Sequence, residues 1–284
     1  MNVNMLTLEN NNLPERLLDI PSPPKKLFLI GDRTLLESTH TLSVVGTRKV
    51  TAYGQAATTR IVKEVANCGV VIVSGLALGV DSIAHKAALE VSGKTIAVLP
   101  AGLDKIYPSS HRNLALSILE GGGLLISEYP PGTPALKQNF IARNRIVSGL
   151  GDGVLITEAS KKSGTIHTAN FGLEQGKTIM AIPGNITSPM SEGTNSLIKT
   201  GAILVTSPED VLFGLGLESQ QLKSAVIANN SAEESILEPM RRGITEASKL
   251  LVESKLNPQI FNQTLSMLEI TGRIRSAGGS HWVL

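Results

Sequence analysis

The feature that most constrains the fold is a regular alternation between short apolar runs and segments of helical character. Continuous apolar runs rich in β-branched residues are typical of strands buried on both faces. The segments between them, such as 53–67 and 165–175, are usually followed by a glycine that can end a helix. This alternation predicts βα units around a parallel sheet, with right-handed crossovers. The runs are LSVVGT (42–47), VVIVSG (70–75), TIAVLP (95–100), GLLISE (123–128), GVLITEA (153–159), TIMAIPG (178–184) and AILVT (202–206).

Length and pattern together predict two domains of unequal size. The chain has 284 residues, more than a typical single domain of roughly 100 to 200 residues. We expect an N-terminal extension over 1–40, a parallel-sheet domain over 41–215 and a polar linker over 216–238. Residues 239–284 read as two helices, a strand, a glycine turn and a final strand. That order is typical of a winged helix.

The net charge by itself does not indicate a binding partner. The formal net charge is only +2, whereas a nucleic-acid binder is recognised by clustered cations. No apolar run reaches the roughly 18 residues that span a bilayer. The first residues also lack a basic start followed by an apolar core. We therefore expect a cytoplasmic protein with no membrane partner.

Ligands of parallel α/β sheets bind at the carboxyl ends of the strands, so the residues that follow the strands carry most information. Arg48 and Lys49 follow the first run, in GTRKVTAYG. Gly75 and Gly79 follow the second run, in SGLALGVDSIAH, where glycine permits close backbone approach. These loops predict a binding site at one edge of the sheet.

The segment SKKSGTIHTANFG, after the fifth run, predicts a phosphate site. Ser163, Gly164 and Thr165 open a helix, and Lys161 and Lys162 precede them. Free backbone N–H groups, the positive end of the helix dipole, hydroxyl donors and cations all attract phosphate. An ordinary capped helix with solvated lysines is the alternative.

The segment LKQNFIARNRIVSG favours the phosphate interpretation. It contributes Lys137, Arg143 and Arg145 together with the aromatic Phe140. Cations that follow a backbone, and a ring on which bases stack, are the combination that binds single strands. Alternatively, Phe140 belongs to the core and Arg143 pairs with a carboxylate.

Catalytic and cofactor patterns are not found in the sequence. The five histidines show no HExxH or other metal spacing, and the one cysteine cannot form a CxxC site. His167 lies in the phosphate segment without an evident partner acid or base. GxGxxG is absent, so NAD is not indicated. We expect no enzymatic activity, no metal and no small-molecule cofactor.

Taken in order and spacing, seven motifs of residues 42–210 resemble the DNA-processing protein A (DprA/Smf) family. Two positions depart from the family's usual pattern: Ile141 replaces a proline, and Leu78 replaces an arginine. The motifs are VVGTRKVTAYG, VSGLALGVDSIAHKAAL, AGLDKIYP, LLISEYPPGTP, FIARNR, TEASKKSGTIHTA and IPGNITSPMSEGTNSLIKTGA.

The resemblance implies an α/β fold with an extended Rossmann-like parallel-sheet domain, followed by a small winged-helix-like α+β domain. It also implies single-stranded DNA binding, often as a homodimer, and loading of the RecA recombinase during natural transformation. Carried over by motif, the DNA contacts are Arg48, Lys137, Phe140, Arg143, Ser163, Gly164, Thr165 and Thr168, with Asn144 and Gly75 shaping the same pocket.

Two other functions stay open. Related folds include nucleotide phosphoribohydrolases of the lysine-decarboxylase-like type, whose PGGxGTxxE signature carries a catalytic glutamate. Thr168 stands at that position here, so the acid or base is missing. A duplex-binding regulator is disfavoured because residues 216–284 hold seven cations against seven acids. Arg273 and Arg275 are the pair most expected to face DNA in that region.

Overall fold

Among the described residues, nine strands form one mixed sheet in the order β1-β2-β6-β5-β4-β3-β7-β8-β9. The computed structural model describes residues 5–9, 12–161, 163–217, 228 and 230–284. The sheet belongs to the first of two units into which the chain divides, Met1–Leu217 and Glu218–Leu284. The strands are β1 (Leu6–Glu9), β2 (Lys26–Gly31), β3 (Thr41–Val45), β4 (Val71–Ser74), β5 (Thr95–Leu99), β6 (Leu124–Ser127), β7 (Gly153–Ile156), β8 (Thr178–Ala181) and β9 (Ile203–Leu204).

Strands β3 to β9 are the seven predicted strands, and every neighbouring pair among them is parallel. The chain builds outward from β3 through β4, β5 and β6, then returns to pair β7 on the other side of β3. Such a reversal opens a crevice at the carboxyl ends of the strands. The predicted α/β fold with a Rossmann-like sheet is confirmed.

The described residues before 41, in the stretch expected to be an N-terminal extension, contribute two strands and a short helix to this unit. Strand β2 pairs antiparallel with β6, and β1 pairs antiparallel with β2. Helix α1 (Glu15–Leu18) packs against a later helix of the sheet domain and buries Leu17 completely. The prediction missed these strands because they lie outside the repeating βα pattern from which it was made.

Helices connect the strands of the sheet, and both helical segments named above, 53–67 and 165–175, are helical in the structure. One further helix, α5, runs through the segment treated above only as a source of cations. Its first turns are polar, so apolar periodicity does not reveal it. In the described part of the chain, no helix is long and apolar enough to cross a membrane. The helices are α2 (Ala52–Asn67), α3 (Val80–Glu90), α4 (Arg112–Glu120), α5 (Lys137–Leu150), α6 (Thr165–Glu174), α7 (Glu192–Lys199) and α8 (Pro208–Gly214).

The second unit contains three helices and a two-stranded antiparallel sheet among its described residues. Its core is formed by buried side chains such as Leu237, Leu250 and Phe261. The first helix starts inside the stretch expected to be a linker, and its N-cap is Asn230, whose side chain accepts from the Glu233 N–H. Residues 218–227 and 229 of that stretch lie outside the described residues. The elements are α9 (Ser231–Arg241), α10 (Ala247–Ser254), α11 (Pro258–Ile270), β10 (Arg275–Gly278) and β11 (His281–Val283).

Candidate functional site

A cavity of about 660 Å³, here called cavity A, lies where β3, β4 and β7 end. Nine of the ten candidate residues line it, and the tenth, Gly75, packs against one of the nine. The lining residues are Val45, Gly46, Arg48, Ala77, Asp81, Tyr107, Ala135, Lys137, Phe140, Ile141, Arg143, Asn144, Ser163, Gly164, Thr165, His167 and Thr168.

An aromatic pair and a cation form one wall of cavity A. The guanidinium of Arg48 lies over the Phe140 ring, 5.2 Å from its centroid. The Tyr107 ring meets Phe140 edge to face, with centroids 5.4 Å apart. Phe140 is half-buried and faces the cavity, so it is not a core residue. The cation–π contact holds an exposed positive charge over a ring.

The cations of the segment LKQNFIARNRIVSG differ in their partners. Lys137, in the first turn of α5, is exposed and lines cavity A. Neither Lys137 nor Arg48 forms an ion pair with any residue that the structure describes. Arg145, in contrast, is paired with Glu128 at 2.7 Å. Pairing with a carboxylate, the alternative raised for Arg143, is seen at Arg145.

Arg143 is buried and holds the walls of the site together. Its Nη1 donates to the carbonyl of Gly75 at 2.5 Å and to the carbonyl of Val98, and its Nε donates to Asn144 Oδ1 at 3.3 Å. Burial lowers the pKa of Arg143 to about 10. A Cβ at Gly75 would lie 2.5 Å from the Arg143 Cζ, so this close approach requires glycine.

A buried carboxylate, Asp81, also lines the cavity, although it was not among the candidates. Its Oδ2 accepts from the backbone N–H groups of Gly75 (3.1 Å) and Ala77 (3.4 Å). Burial raises the pKa of Asp81, and the nearby positive charge of Arg143 opposes that rise. The sequence signal that could have identified Asp81 was the motif GVDS, which lies in the segment after β4. Asp81 and Arg143 together fix the loop that follows β4.

The predicted phosphate segment forms the opposite wall. Ser163 Oγ donates to Thr165 Oγ1 at 2.9 Å and accepts from the Thr165 N–H at 3.2 Å. Gly164 precedes α6 and is exposed, and a Cβ there would meet nothing within 4 Å. Thr168 is buried one turn further along. Lys161 is exposed, whereas Lys162 lies outside the described residues. The N-terminus of α6 thus opens onto cavity A.

The two departures from the family pattern both lie at this site. Ile141 lines cavity A and is exposed, at the position where a proline was expected. Leu78 is exposed in the loop after β4, where an arginine was expected. Both therefore present apolar surface near the cations.

Tyr107, which sequence reasoning did not select, comes from the motif AGLDKIYP.

Fold and site together define a Rossmann-like α/β protein with a cationic, aromatic-lined cavity at the carboxyl ends of its strands. The family model described as DNA recombination-mediator protein A matches residues 4–216, so the chain belongs to that family. The resemblance drawn from the motifs is confirmed.

Two curated relatives each match about three quarters of this chain. It is 47% identical over 214 residues to Protein Smf of Escherichia coli, which covers 75% of this chain and 57% of that protein. It is 40% identical over 209 residues to DNA processing protein DprA of Bacillus subtilis, covering 74% and 70%. The chain thus spans little more than half the length of the Escherichia coli relative.

Two solved structures share the fold. DNA processing protein A from Streptococcus pneumoniae has a TM-score of 0.69 at 40% identity, covering 75% of this chain and 74% of that one. DNA processing protein A from Helicobacter pylori, whose structure concerns its single-stranded DNA binding mode, has a TM-score of 0.69 at 36% identity, covering 75% and 96%.

Proposed function

We propose that this chain binds single-stranded DNA in cavity A and acts in DNA processing without catalysing a reaction. The observation that carries the proposal is the pair of cations, Arg48 and Lys137, held beside the Phe140 ring at the carboxyl ends of the strands. Charge can follow the phosphates while the ring stacks on a base of any kind. The Helicobacter pylori relative, which is similar over 75% of this chain, supports this assignment.

The walls of cavity A suggest how a strand is held. A phosphate at the N-terminus of α6 meets the positive end of the helix dipole beside the exposed Gly164 and the hydroxyl groups of Ser163 and Thr165. A neighbouring base stacks on Phe140, and Arg48 neutralises a second phosphate. Arg143 and Asn144 are positioning residues, because the Arg143 guanidinium is bound to the protein's own carbonyls.

Two features favour holding a strand over cleaving a nucleotide. Thr168 stands where a phosphoribohydrolase would place its glutamate, and it lines the cavity. Asp81, a carboxylate of the cavity, is buried and accepts from two backbone N–H groups. A general acid or base must lie within hydrogen-bonding distance of its substrate. Release of free base from nucleoside monophosphates at enzyme-like rates would contradict this part of the proposal.

Loading of RecA onto incoming DNA during natural transformation is the biological role we propose, in the cytoplasm and as a homodimer. Membership of the recombination-mediator family supports it. A strand-exchange assay with RecA on DNA coated by single-strand-binding protein tests the loading. We expect this chain to shorten the lag before exchange, and an unchanged lag contradicts the role. Light scattering tests the dimer, and a monomer mass contradicts it.

The experiment that tests strand binding compares oligo(dT) with a duplex by fluorescence anisotropy over a range of salt. We expect tighter binding of the single strand, and Arg48→Ala should lower the slope of log affinity against log salt by about 0.7. Arg33→Ala is the matched control. Arg33 is exposed and follows the antiparallel β2, so it lies at the opposite edge of the sheet. Equal duplex binding, or a silent Arg48→Ala, would overturn the proposal.

A further inference from the structure

A second cavity of about 480 Å³, here called cavity B, lies beyond the ends of β7 and β8. The proposed function above does not use it. Its walls include Thr51, Tyr53, Glu158, Pro183, Ser188 and Ser191. The lining of cavity A includes three cations, whereas the lining residues of cavity B that the structure describes include no Lys or Arg and present a carboxylate, hydroxyl groups and one aromatic ring. The two cavities therefore suit different parts of a ligand.

Glu158 supplies a fixed acceptor in cavity B. Glu158 is only 2% exposed. Oε2 accepts from the Thr51 N–H at 2.9 Å and Oε1 accepts from the Thr51 hydroxyl at 2.7 Å. Each carboxylate oxygen can accept a further hydrogen bond. A Cβ at Gly54 would lie 2.3 Å from Oε2, so α2 can approach the carboxylate only because residue 54 is glycine.

Ser191 supplies a hydroxyl group that has not found a partner. The residue is 3% exposed and lines cavity B. Within the described part of the chain, its Oγ makes no hydrogen bond, although its backbone N–H donates to the Ser188 carbonyl at 3.0 Å. A serine hydroxyl can donate one hydrogen bond. The Ser191 hydroxyl is therefore available to donate to a ligand in cavity B.

Tyr53 supplies an aromatic surface at the rim. Its hydroxyl donates to the Pro183 carbonyl at 2.6 Å, which fixes the ring, while 52% of the residue remains exposed. Burial raises the pKa of Tyr53, and the charge of Glu158 raises it further. The ring and the carboxylate thus lie within electrostatic reach of each other. A flat ligand can stack on the ring while its edge faces the carboxylate.

Cavities A and B are separated by little more than backbone. Gly46 lines cavity A and Glu158 lines cavity B. The Thr47 N–H donates to the Glu158 carbonyl at 2.7 Å, and a Cβ at Gly46 would lie 3.0 Å from the same oxygen. The two cavities therefore share a wall made of backbone.

We propose that cavity B receives a base of the bound single strand and selects one that presents an amino group beside a ring-nitrogen acceptor, namely cytosine or adenine. The amino group donates to the Glu158 carboxylate, the ring nitrogen accepts from the Ser191 hydroxyl, and the base stacks on Tyr53. Carboxylates accept from the cytosine N4 amino group. Thymine places a carbonyl oxygen against the carboxylate and is disfavoured. This inference rests on the single-strand binding proposed above.

The test measures the affinity of the full chain for oligo(dC) and for oligo(dT) of equal length at neutral pH. For the unsubstituted chain we expect oligo(dC) to bind more tightly, on the order of tenfold, because one matched polar contact discriminates by that amount. Ser188→Phe fills cavity B and should abolish the preference. Ser191→Ala, which removes only the hydroxyl, should reduce it. Ser110→Phe is the matched control, because Ser110 is exposed and lines neither cavity.

Each outcome separates this inference from the proposed function. Equal affinity for the two oligomers, or a preference that survives Ser188→Phe, overturns the inference while oligo(dT) binding still supports cavity A. Loss of the preference in Ser188→Phe with retained oligo(dT) binding supports it and shows that the variant is folded. Absence of binding to either oligomer by the unsubstituted chain overturns both proposals.

Discussion

The cations of cavity A and those of the second unit differ in the side chains that they contact. In the second unit, Arg273 contacts Glu233 at 2.6 Å and Arg241 contacts Glu234 at 2.5 Å. Arg242 lies between two glutamates in the same way. In cavity A, Arg48 lies on an aromatic ring, and neither it nor Lys137 has a carboxylate partner among the described residues.

We infer from this difference that the pairing of the cations decides phosphate binding more than their number. A cation already bound to a carboxylate contributes little to phosphate binding, which depends on neutralising phosphates and releasing their counterions. Arg273, one of the two residues expected to face DNA in the second unit, is in such a pair, whereas Arg275 is exposed on β10. We infer that strand affinity resides in the first unit and that the second serves protein contacts or an accessory role.

Removing both cavity A cations should have the largest effect. We expect Arg48→Ala combined with Lys137→Ala to weaken oligo(dT) binding about 100-fold and to lower the salt slope by about 1.4. Anisotropy titrations at several salt concentrations measure both quantities. The matched control is Arg242→Ala combined with Arg275→Ala in the second unit. A comparable loss in that control would mean that the cations of the second unit bind DNA as well.

Acid should destabilise the first unit through His85, which has no equivalent in the second. The Thr95 hydroxyl donates to the Ile72 carbonyl and therefore accepts from His85 Nδ1, so Nε2 carries no proton. Burial lowers the pKa of His85 to about 3. His281, the sole histidine of residues 218–284, is exposed.

Between pH 6.5 and 3 the unfolded chain binds a proton on His85 that the folded chain does not, so stability falls as the pH falls. We expect a loss of about 2 kcal/mol at pH 5 relative to pH 7, measured by urea unfolding. His85→Asn keeps a donor to Thr95 but cannot titrate, and should lose less stability over this range. An identical loss in the variant would assign the effect to other groups.

Removing the ring should have a smaller effect than removing the charges. We expect Phe140→Ala to weaken single-strand binding about tenfold, since base stacking on an aromatic side chain contributes about 1 to 3 kcal/mol. The salt slope should stay nearly unchanged, because no phosphate contact is lost. Phe213→Ala, an exposed phenylalanine outside cavity A, is the control. A salt slope that falls as in the Arg48 variant would mean that the ring acts only by positioning Arg48.

Breaking an ion pair of the second unit should have the smallest effect on binding. We expect Arg273→Ala to lower the free energy of unfolding by about 1 kcal/mol, because its pair with Glu233 is only partly exposed. Oligo(dT) affinity should change by less than about twofold. Urea unfolding and anisotropy measure the two results. A large loss of affinity with unchanged stability would show that Arg273 binds DNA.

Local patterns in the sequence predicted the strands and the position of the site. Apolar runs identify buried strands directly, and parallel strands place the residues that follow them at one edge of the sheet. Arg48, Ser163 and Gly164 could therefore be assigned to a common site before the structure was known. Helix α5 and the strands β1 and β2 could not, because a polar first turn and an antiparallel edge do not follow the βα repeat.

What the sequence by itself determined was the class of fold, the family and the set of residues around cavity A. Only the tertiary structure decided the role of each residue, because roles depend on contacts between distant segments. Arg143 and Gly75 are 68 positions apart, and their contact is the reason we propose a positioning role for Arg143. The pairing of Arg273 with Glu233 spans 40 positions. Contacts between distant segments produce no periodic pattern in the sequence. Only the folded structure therefore shows which cations remain available to bind phosphate.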